Sequence, residues 1–428
     1  MKRLTDFSTR LIGWLDRVQP SESSVMGGAA LILGLTTSLG IWLFKQLIDL
    51  FERLAFGDLI SVLQPLGSWT IALLPVLGGL IVGVLLHRLV GEERHHGVAG
   101  IMEAVALAGG RLRYRRMPVK ALSATIAIGA GASVGPEDPS VQIGANFGSM
   151  FGQLLHLSDD RVRTLVASGA AGAIAAAFNA PIAGIFFALE IIMGELTGST
   201  FGSVALAAVI SAVTMQALTG PEPAFHVPTY EFNSPMELPL YLVLGVLAGM
   251  VAVIYIRAIY AAHDVFHHLR IPRWLKPALA GVVVGVTGIF LPQIFGVGYS
   301  TIERLLNGVT PSVTLLAVLL VAKLLMTAIS VGGGFPGGVF APSLFLGAAL
   351  GSAFGALMQG AFPQLPIAPP AFALAGMAAV LAGTIHAPLT AIILLFEMTN
   401  DYRIILPVMF AVAISLLLAQ RLFRDSVY

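Results

Sequence analysis

Two acidic residues, Glu137 and Asp138, stand directly before Pro139 in the apolar, glycine-rich stretch GPEDPSVQIG (135–144). Proline is favoured at the first position of a helix, so a helix is predicted to begin near Pro139. The N–H groups at a helix N-terminus carry about half a positive charge and attract anions. The chemistry expected here is the binding of an anion at a helix N-terminus.

A second pattern, Gly131-Ala-Ser133-Val-Gly135, fits the Gly-x-Ser-x-Gly signature of a nucleophilic serine. That chemistry requires a strand-to-helix elbow together with His and Asp partners. In a chain with 47 glycines such a pattern arises easily by chance. An intramembrane serine hydrolase is therefore a remote alternative, and we predict that the protein is not an enzyme.

No spacing typical of metal ligands is found in the sequence. There is no cysteine, which excludes disulfides and thiolate ligands. His263, His267 and His268 lie in a basic stretch and are predicted to be solvated. We therefore expect neither a metal nor a cofactor.

The chain contains an internal repeat. Residues 135–152 (GPEDPSVQIGANFGSMFG) and 338–355 (GVFAPSLFLGAALGSAFG) are identical at nine of eighteen positions. Residues 168–190 also match 375–397, more loosely, with Ala-Pro and a final Glu in corresponding places. Repeated hydrophobic halves with Gly/Pro-broken segments in matching positions are typical of transporters whose substrate binds between the halves.

The composition is that of a membrane protein. Hydrophobic residues make up 57% of the chain and charged residues only 11%, against about 25% charged in soluble domains. Apolar stretches at 71–90, 240–256, 313–331 and 404–420 approach the ~20 residues that a spanning helix needs. An all-α polytopic fold in a lipid bilayer is predicted. The net charge of +1 gives no indication of nucleic-acid binding.

The distribution of charge predicts the topology. Lys and Arg cluster near the N-terminus and at 111–120, 257–276 and 421–424, and such clusters favour the cytoplasmic side. The stretch 219–239 has three Glu and no Lys or Arg, so it is predicted to lie outside. We therefore predict an inner-membrane protein with both termini in the cytoplasm. Its predicted parts are an interfacial helix (1–23), a first repeat (24–218), a linker (219–239) and an inverted second repeat (240–428).

Gly and Pro break the apolar segments at 130–139 and 332–342. Inside a bilayer a broken helix is tolerated only where its free backbone is buried in protein or lines a cavity. In an inverted repeat, helix starts near Pro139 and Pro342 can face one point from opposite sides. These breaks predict an anion site that uses no buried Lys or Arg; the alternative is that they are packing irregularities.

Several of these segments together resemble the CLC family of chloride channels and chloride/proton exchangers. They are GPEDPSVQIG, GGVFAP (337–342), HHGVAGIMEAV (95–105), FNAPIAGIFFALE and HAPLTAIILLFEMTNDY. The resemblance implies a homodimer of inverted-repeat subunits built from tilted, broken helices. Each subunit would carry its own pathway for chloride or similar small anions, and for protons in an exchanger. The family's C-terminal nucleotide-binding modules are expected to be absent.

The resemblance also implies roles for individual residues. Glu137 falls on the gating glutamate of the family. The backbone N–H groups of Val339 and Phe340, and the hydroxyl of Tyr402, fall on ligands of the central anion. His96 stands where the family has a serine ligand, and its imidazole would have to donate in place of that hydroxyl.

Three departures from the family pattern affect these roles. Pro136 replaces an Arg before the gating glutamate, and Asp138 replaces a Gly after it. Asp138 would cap the helix at Pro139, disfavour anion entry, or favour the protonated form of Glu137 by like-charge repulsion. Ile191 replaces the inner glutamate that carries protons in exchangers, although Glu195 lies one helical turn beyond it. Proton-coupled exchange and passive conduction therefore both stay open.

Overall fold

The computed structural model describes residues 22–91, 97–195, 198–221, 225, 235–309, 311–399 and 403–428. Almost all of the predicted interfacial helix (1–23), much of the linker (219–239), His96 and Tyr402 lie outside these ranges.

Within these ranges the regular secondary structure is helical, apart from one isolated β-bridge. The α-helices of the first half are α1 (Glu22–Glu52), α2 (Ile60–Leu63), α3 (Leu73–Leu85), α4 (Gly97–Leu107), α5 (Met117–Gly129), α6 (Glu137–Leu154), α7 (Asp159–Phe178), α8 (Pro181–Phe187) and α9 (Gly198–Thr219). Those of the second half are α10 (Leu238–His268), α11 (Lys276–Phe290), α12 (Tyr299–Leu306), α13 (Val313–Gly332), α14 (Phe340–Ala361), α15 (Pro369–Ile385), α16 (Pro388–Thr399) and α17 (Ile405–Leu422). Short 3₁₀ and π segments extend or join several of them.

Eight helical segments of the described chain are long and apolar enough to cross a bilayer. They are Ser24–Leu63, Ser68–Val90, Thr200–Thr219, Leu238–His268, Arg273–Phe290, Val313–Gly332, Phe340–Ala361 and Ile405–Leu422. Each of the four apolar stretches chosen from the sequence falls on one of these segments. The predicted all-α polytopic fold is confirmed.

The chain forms two compact units. The first contains the start of α1, helices α4 and α7 to α9, and α6 from Ser140 onward. The second contains the end of α1, helices α2, α3 and α5, residues 130–139 and helices α10 to α17. The division into repeats at 219–239 stays a prediction.

The repeated sequence adopts repeated backbone conformations. The chain leaves α5 through Gly131, at φ +91°, and leaves α13 through the matching Gly334, at φ +95°. It leaves α7 through Asn179 and α15 through His386, both left-handed at φ 55° and 58°. An Ala-Pro pair follows each of these two residues, and the proline begins the next helix, α8 or α16. The same residues therefore end and restart helices in both halves.

Glycine ridges bring neighbouring helices of each unit into close contact. A Cβ added to Gly144 of α6 would lie 2.1 Å from the carbonyl oxygen of Gly169 on α7. A Cβ added to Gly351 of α14 would lie 2.0 Å from the carbonyl oxygen of Phe372 on α15. Small residues at such positions allow backbones to approach closely in a membrane, where van der Waals packing drives association.

We predict that Gly351→Ala lowers thermal stability in detergent, because α14 and α15 must separate to admit the methyl group. Overpacking of this kind costs about 1–3 kcal/mol. Gly360, on the same helix, has no atom within 4 Å of an added Cβ, so Gly360→Ala is the matched control. Equal unfolding temperatures for the two variants would contradict the close packing of these helices.

Candidate functional site

The two matched breaks are hydrogen-bonded to each other in the second unit. The N–H of Gly135 donates to the carbonyl of Gly338 at 2.8 Å, and the N–H of Gly338 donates to the carbonyl of Gly135 at 2.6 Å. The two segments run antiparallel, as an inverted repeat requires. Because α6 begins at Glu137 and α14 at Phe340, each two residues after the bridge, their first turns lie side by side. The predicted helix starts near Pro139 and Pro342 are confirmed to within two residues.

Both residues of this bridge must be glycine, because there is no space for a side chain at either position. A Cβ on Gly135 would lie 2.0 Å from Oε2 of Glu137 and 3.1 Å from Cβ of Ala341. A Cβ on Gly338 would lie 3.1 Å from the same Oε2 and from the backbone nitrogen of Asp138. The bare backbone of both glycines therefore leaves room for the Glu137 carboxylate beside the bridge.

Glu137 is buried, with only 1% of its surface exposed. Its Oε1 accepts a hydrogen bond from the hydroxyl of Tyr299 at 3.2 Å. The backbone N–H groups of Glu137 itself and of Ala341, in the first turn of α14, interact favourably with the carboxylate. Its Oε2 is buried and receives no hydrogen bond from the described residues. A negative group thus sits at the N-terminus of α14, where an anion is favoured.

Asp138 lies in the first turn of α6 beside Glu137. Because the helix begins at Glu137, Asp138 is the second residue of its first turn, where the positive end of the helix favours an acid. Its role as a helix cap stays a prediction. Its Oδ1 accepts a hydrogen bond from the hydroxyl of Tyr428 at 3.2 Å. Two neighbouring carboxylates are therefore bound by two different tyrosines.

Val339 and Phe340 lie at the start of α14, and both are buried. The carbonyl of Val339 accepts hydrogen bonds from the hydroxyl of Tyr255 at 3.2 Å and from the N–H of Ser343 at 3.1 Å. The structure thus places the Val339 and Phe340 backbone beside Glu137, within the second unit. Their role as anion ligands stays a prediction.

The other predicted residues lie either outside the described chain or in the first unit. His96 and Tyr402 lie outside the described residues. Ile191 is buried in a short π-helical segment of the first unit, Ala188–Met193. Glu195 follows that segment on an exposed turn, where its N–H donates to the carbonyl of Leu189 at 3.1 Å.

Lys323 is a buried charge that the sequence analysis missed. It lies within α13 and has no exposed surface. Its ammonium group donates to the carbonyls of Ile294, at 3.0 Å, and Gly296, at 2.6 Å, and lies 5.4 Å from the centre of the Phe345 ring. The lysine thereby holds the segment that leads into α12, whose first residue is Tyr299. The sequence feature that could have revealed this residue is a lysine within an otherwise apolar helix.

A cavity of about 590 Å³ opens beside Glu137 in the same unit. It reaches Pro136, the residue before Glu137, and Tyr299, which binds its carboxylate. The polar side chains that line it belong to Lys45, Asp49, Glu52, Gln293, Tyr299, Ser300 and Thr301.

The geometry around Ser133 does not support the serine hydrolase alternative. The hydroxyl of Ser133 is 3.3 Å from that of Thr327, and its N–H donates to the hydroxyl of Ser330 at 3.2 Å. Residues 130–136 connect two helices, and in this part of the chain no strand forms the elbow that the motif needs. Ser133 therefore contributes to packing against α13.

Fold and site together define a class: a helical membrane protein with several spans, in which two broken helices meet at a buried carboxylate. Residues 78–420 match the family described as voltage gated chloride channel, and the chain belongs to this family.

Individual relatives agree with this assignment. The chain is 37% identical over 404 residues to a ClcB-like chloride channel protein of Ralstonia nicotianae, covering 93% of this chain and 94% of the relative. It is 33% identical to the H(+)/Cl(-) exchange transporter ClcA of Vibrio parahaemolyticus, covering 95% and 87%. The crystal structure of a slow cyanobacterial Cl-/H+ antiporter superposes with a TM-score of 0.86 at 26% identity, covering 94% and 96%.

We predict that Lys323→Met lowers the unfolding temperature in detergent. The variant leaves the carbonyls of Ile294 and Gly296 without their donor, and a buried unsatisfied polar group costs about 1–3 kcal/mol. Lys276→Met is the control, because that lysine is only partly buried and makes one long hydrogen bond, 3.5 Å to the carbonyl of His267. A Lys323→Met protein as stable as the control would contradict the anchoring role.

Proposed function

We propose that this protein transports chloride across the membrane in exchange for protons, with Glu137 as both gate and proton carrier. The observation that carries the proposal is the buried Glu137 carboxylate at the paired helix starts. It interacts with the N–H of Ala341, and its Oε2 receives no hydrogen bond from the described residues. A carboxylate held in this way occupies the position that the helix N-terminus offers to an anion.

The proposed cycle follows from competition for this position. While Glu137 is ionised, its carboxylate fills the anion position beside Gly135 and Gly338. Protonation removes its charge, so its attraction to the helix N-terminus falls and the side chain leaves toward the cavity. Chloride then takes its place against the N–H groups at the start of α14, from Val339 to Ala341. Return of the ionised side chain releases the proton and displaces chloride.

A hydroxyl ligand for the anion is part of the proposal. Tyr402 and His96, the side chains expected to supply donors, lie outside the described residues. Tyr428 brings a hydroxyl to Asp138, in the first turn of α6 and next to Glu137. Because that O–H is donated to Asp138, the hydroxyl proposed for chloride remains that of Tyr402.

Exchange is favoured by the relatives, of which one is named an H(+)/Cl(-) exchange transporter and another is a Cl-/H+ antiporter. The second candidate is passive conduction of chloride. It is favoured by one observation: Ile191 is buried and aliphatic where an exchanger of this family carries its inner glutamate. The two modes differ in whether protons move with chloride.

The same proposal covers assembly and orientation. The family resemblance supports a homodimer in which each subunit has its own pathway. The basic clusters at 111–120, 257–276 and 421–424 support a cytoplasmic position for both termini in the inner membrane.

The first test is chloride flux from proteoliposomes with simultaneous recording of protons. We expect a chloride gradient to drive protons uphill in the wild type. In Glu137→Gln we expect chloride flux to persist and proton flux to be lost, because the amide resembles the protonated acid but cannot carry a proton.

Glu303→Gln changes an exposed glutamate of α12 and is the control for charge removal. Chloride flux without proton movement in the wild type would replace exchange by passive conduction. Absence of any anion flux would refute the transport function itself.

Tyr299→Phe is predicted to increase chloride flux about tenfold. It removes the hydrogen bond that holds the Glu137 carboxylate at the bridge, and a hydrogen bond to a charged group contributes about 1.5–3 kcal/mol. Initial rates in proteoliposomes measure the effect. Tyr241→Phe is the control, since Tyr241 is a buried tyrosine that stacks on Phe372 with ring centres 4.3 Å apart. An unchanged or reduced rate in Tyr299→Phe would show that Tyr299 does not hold the gate closed.

A further inference from the structure

The segment after α17 folds back onto the second unit. The guanidinium of Arg257 lies 5.7 Å from the centre of the Phe423 ring. The hydroxyl of Tyr260 donates to the carbonyl of Ser426 at 3.2 Å, and the N–H of Val427 donates to the carbonyl of Thr384 at 3.0 Å. These contacts on α10 and α15 fix the path of residues 423–428.

This path ends at the gate. The hydroxyl of Tyr428 donates to Oδ1 of Asp138 at 3.2 Å. Asp138 is 9% exposed and directly follows Glu137. On the proposed topology the segment comes from the cytoplasmic end of α17, where Arg421 and Arg424 lie. The tyrosine thus extends from the cytoplasmic side to a carboxylate next to the gate.

The side chains of Asp138 and Glu137 approach the same glycine. Oε2 of Glu137 lies 3.1 Å, and Cβ of Asp138 3.4 Å, from the position that a Cβ on Gly338 would take. Oε2 of Glu137 is buried and receives no hydrogen bond from the described residues. Oε1 of Glu137 is bound by Tyr299, which lines the cavity. Glu137 therefore faces the cavity through Tyr299, and Asp138 faces Tyr428.

We propose that Asp138 is a second proton-carrying carboxylate, which exchanges a proton with Glu137 and communicates with the cytoplasm through the hydroxyl of Tyr428. The inference rests on the proposed exchange of chloride for protons. It gives that exchange an acid on the inner side of the gate, which Ile191 cannot be. In the sequence alone, Asp138 is only a departure from the family pattern. On this proposal it carries protons during the exchange.

The proton transfer is balanced within the pair. The O–H bond of protonated Glu137 breaks and an O–H bond forms on the Asp138 carboxylate, so one acid becomes ionised as the other becomes neutral. Asp138 then passes its proton to the hydroxyl oxygen of Tyr428 as that hydroxyl releases its own proton toward the cytoplasm. A hydroxyl both donates and accepts, so the tyrosine ends the step unchanged.

The charges around Glu137 and Asp138 are compatible with one proton shared between the two carboxylates. Lys45, which lines the cavity, and Lys323, on α13, both interact electrostatically with Glu137. The ionised carboxylate of Asp138 repels that of Glu137, which favours a state in which one of the two is protonated. Among the described residues, the titratable groups that interact with the two acids are Lys45, Tyr255, Tyr299, Lys323 and Tyr428.

The test compares Asp138→Asn with the wild-type full chain in proteoliposomes, recording protons and chloride together. Asparagine keeps an oxygen that accepts from Tyr428, so a purely structural contact survives, while the proton site is lost. We expect the ratio of proton to chloride flux to fall about tenfold or more, with chloride flux retained. Asp138→Glu should restore the ratio, and Tyr428→Phe should lower it.

Glu195→Gln is the matched control, since it removes the other inner acid considered for this task. Loss of coupling in this control with normal coupling in Asp138→Asn would overturn the proposal in favour of Glu195. An unchanged flux ratio in Asp138→Asn would also overturn it, as would a parallel loss of both fluxes, which indicates a structural role. Wild-type chloride flux without protons would overturn this proposal and leave chloride transport standing, whereas no chloride flux would refute both.

Discussion

The pair of hydrogen bonds between Gly135 and Gly338 is the contact on which the site depends. It joins the two places where the repeated halves break their helices, and each new helix begins two residues later. Two unpaired backbone segments inside a bilayer would each cost several kcal/mol. Pairing them with each other removes part of that cost and brings the starts of α6 and α14 together. The Glu137 carboxylate rests on this bridge, and a side chain on Gly135 would exclude it.

The surroundings of the bridge explain how a charged group is tolerated at this depth. The carboxylate meets the positive end of α14 and the hydroxyl of Tyr299. Tyr299 is in turn positioned by a segment whose carbonyls are held by the buried Lys323. Unpaired charges in a membrane interior are costly, and this chain of contacts stabilises the carboxylate, although its Oε2 receives no hydrogen bond from the described residues. A site that does not meet every hydrogen bond of this carboxylate from the described residues is suited to a side chain that must move.

Much of this was predictable from local patterns in the sequence. The Gly/Pro breaks and the two short repeats predicted where helices end and restart, because glycine at positive φ and proline at a first helical turn have local backbone causes. Apolar runs predicted the spanning segments, since every span must be long enough to cross the same hydrocarbon layer. Glu137 was found for the same reason: an acid next to a predicted helix start in an apolar stretch is conspicuous.

What the sequence determined by itself was the class of fold, the places where its helices break and the acid beside one of those breaks. Only the tertiary structure decided which side chains complete the site. Tyr299 is 162 residues from Glu137, and Tyr428 is 290 residues from Asp138. Contacts of this range leave no periodic signal in either segment, because they depend on how distant helices pack. Lys323 likewise acts through a contact that depends on the fold, since the carbonyls that it binds lie 29 and 27 residues away and come within reach only once the segment before α12 has packed against α13.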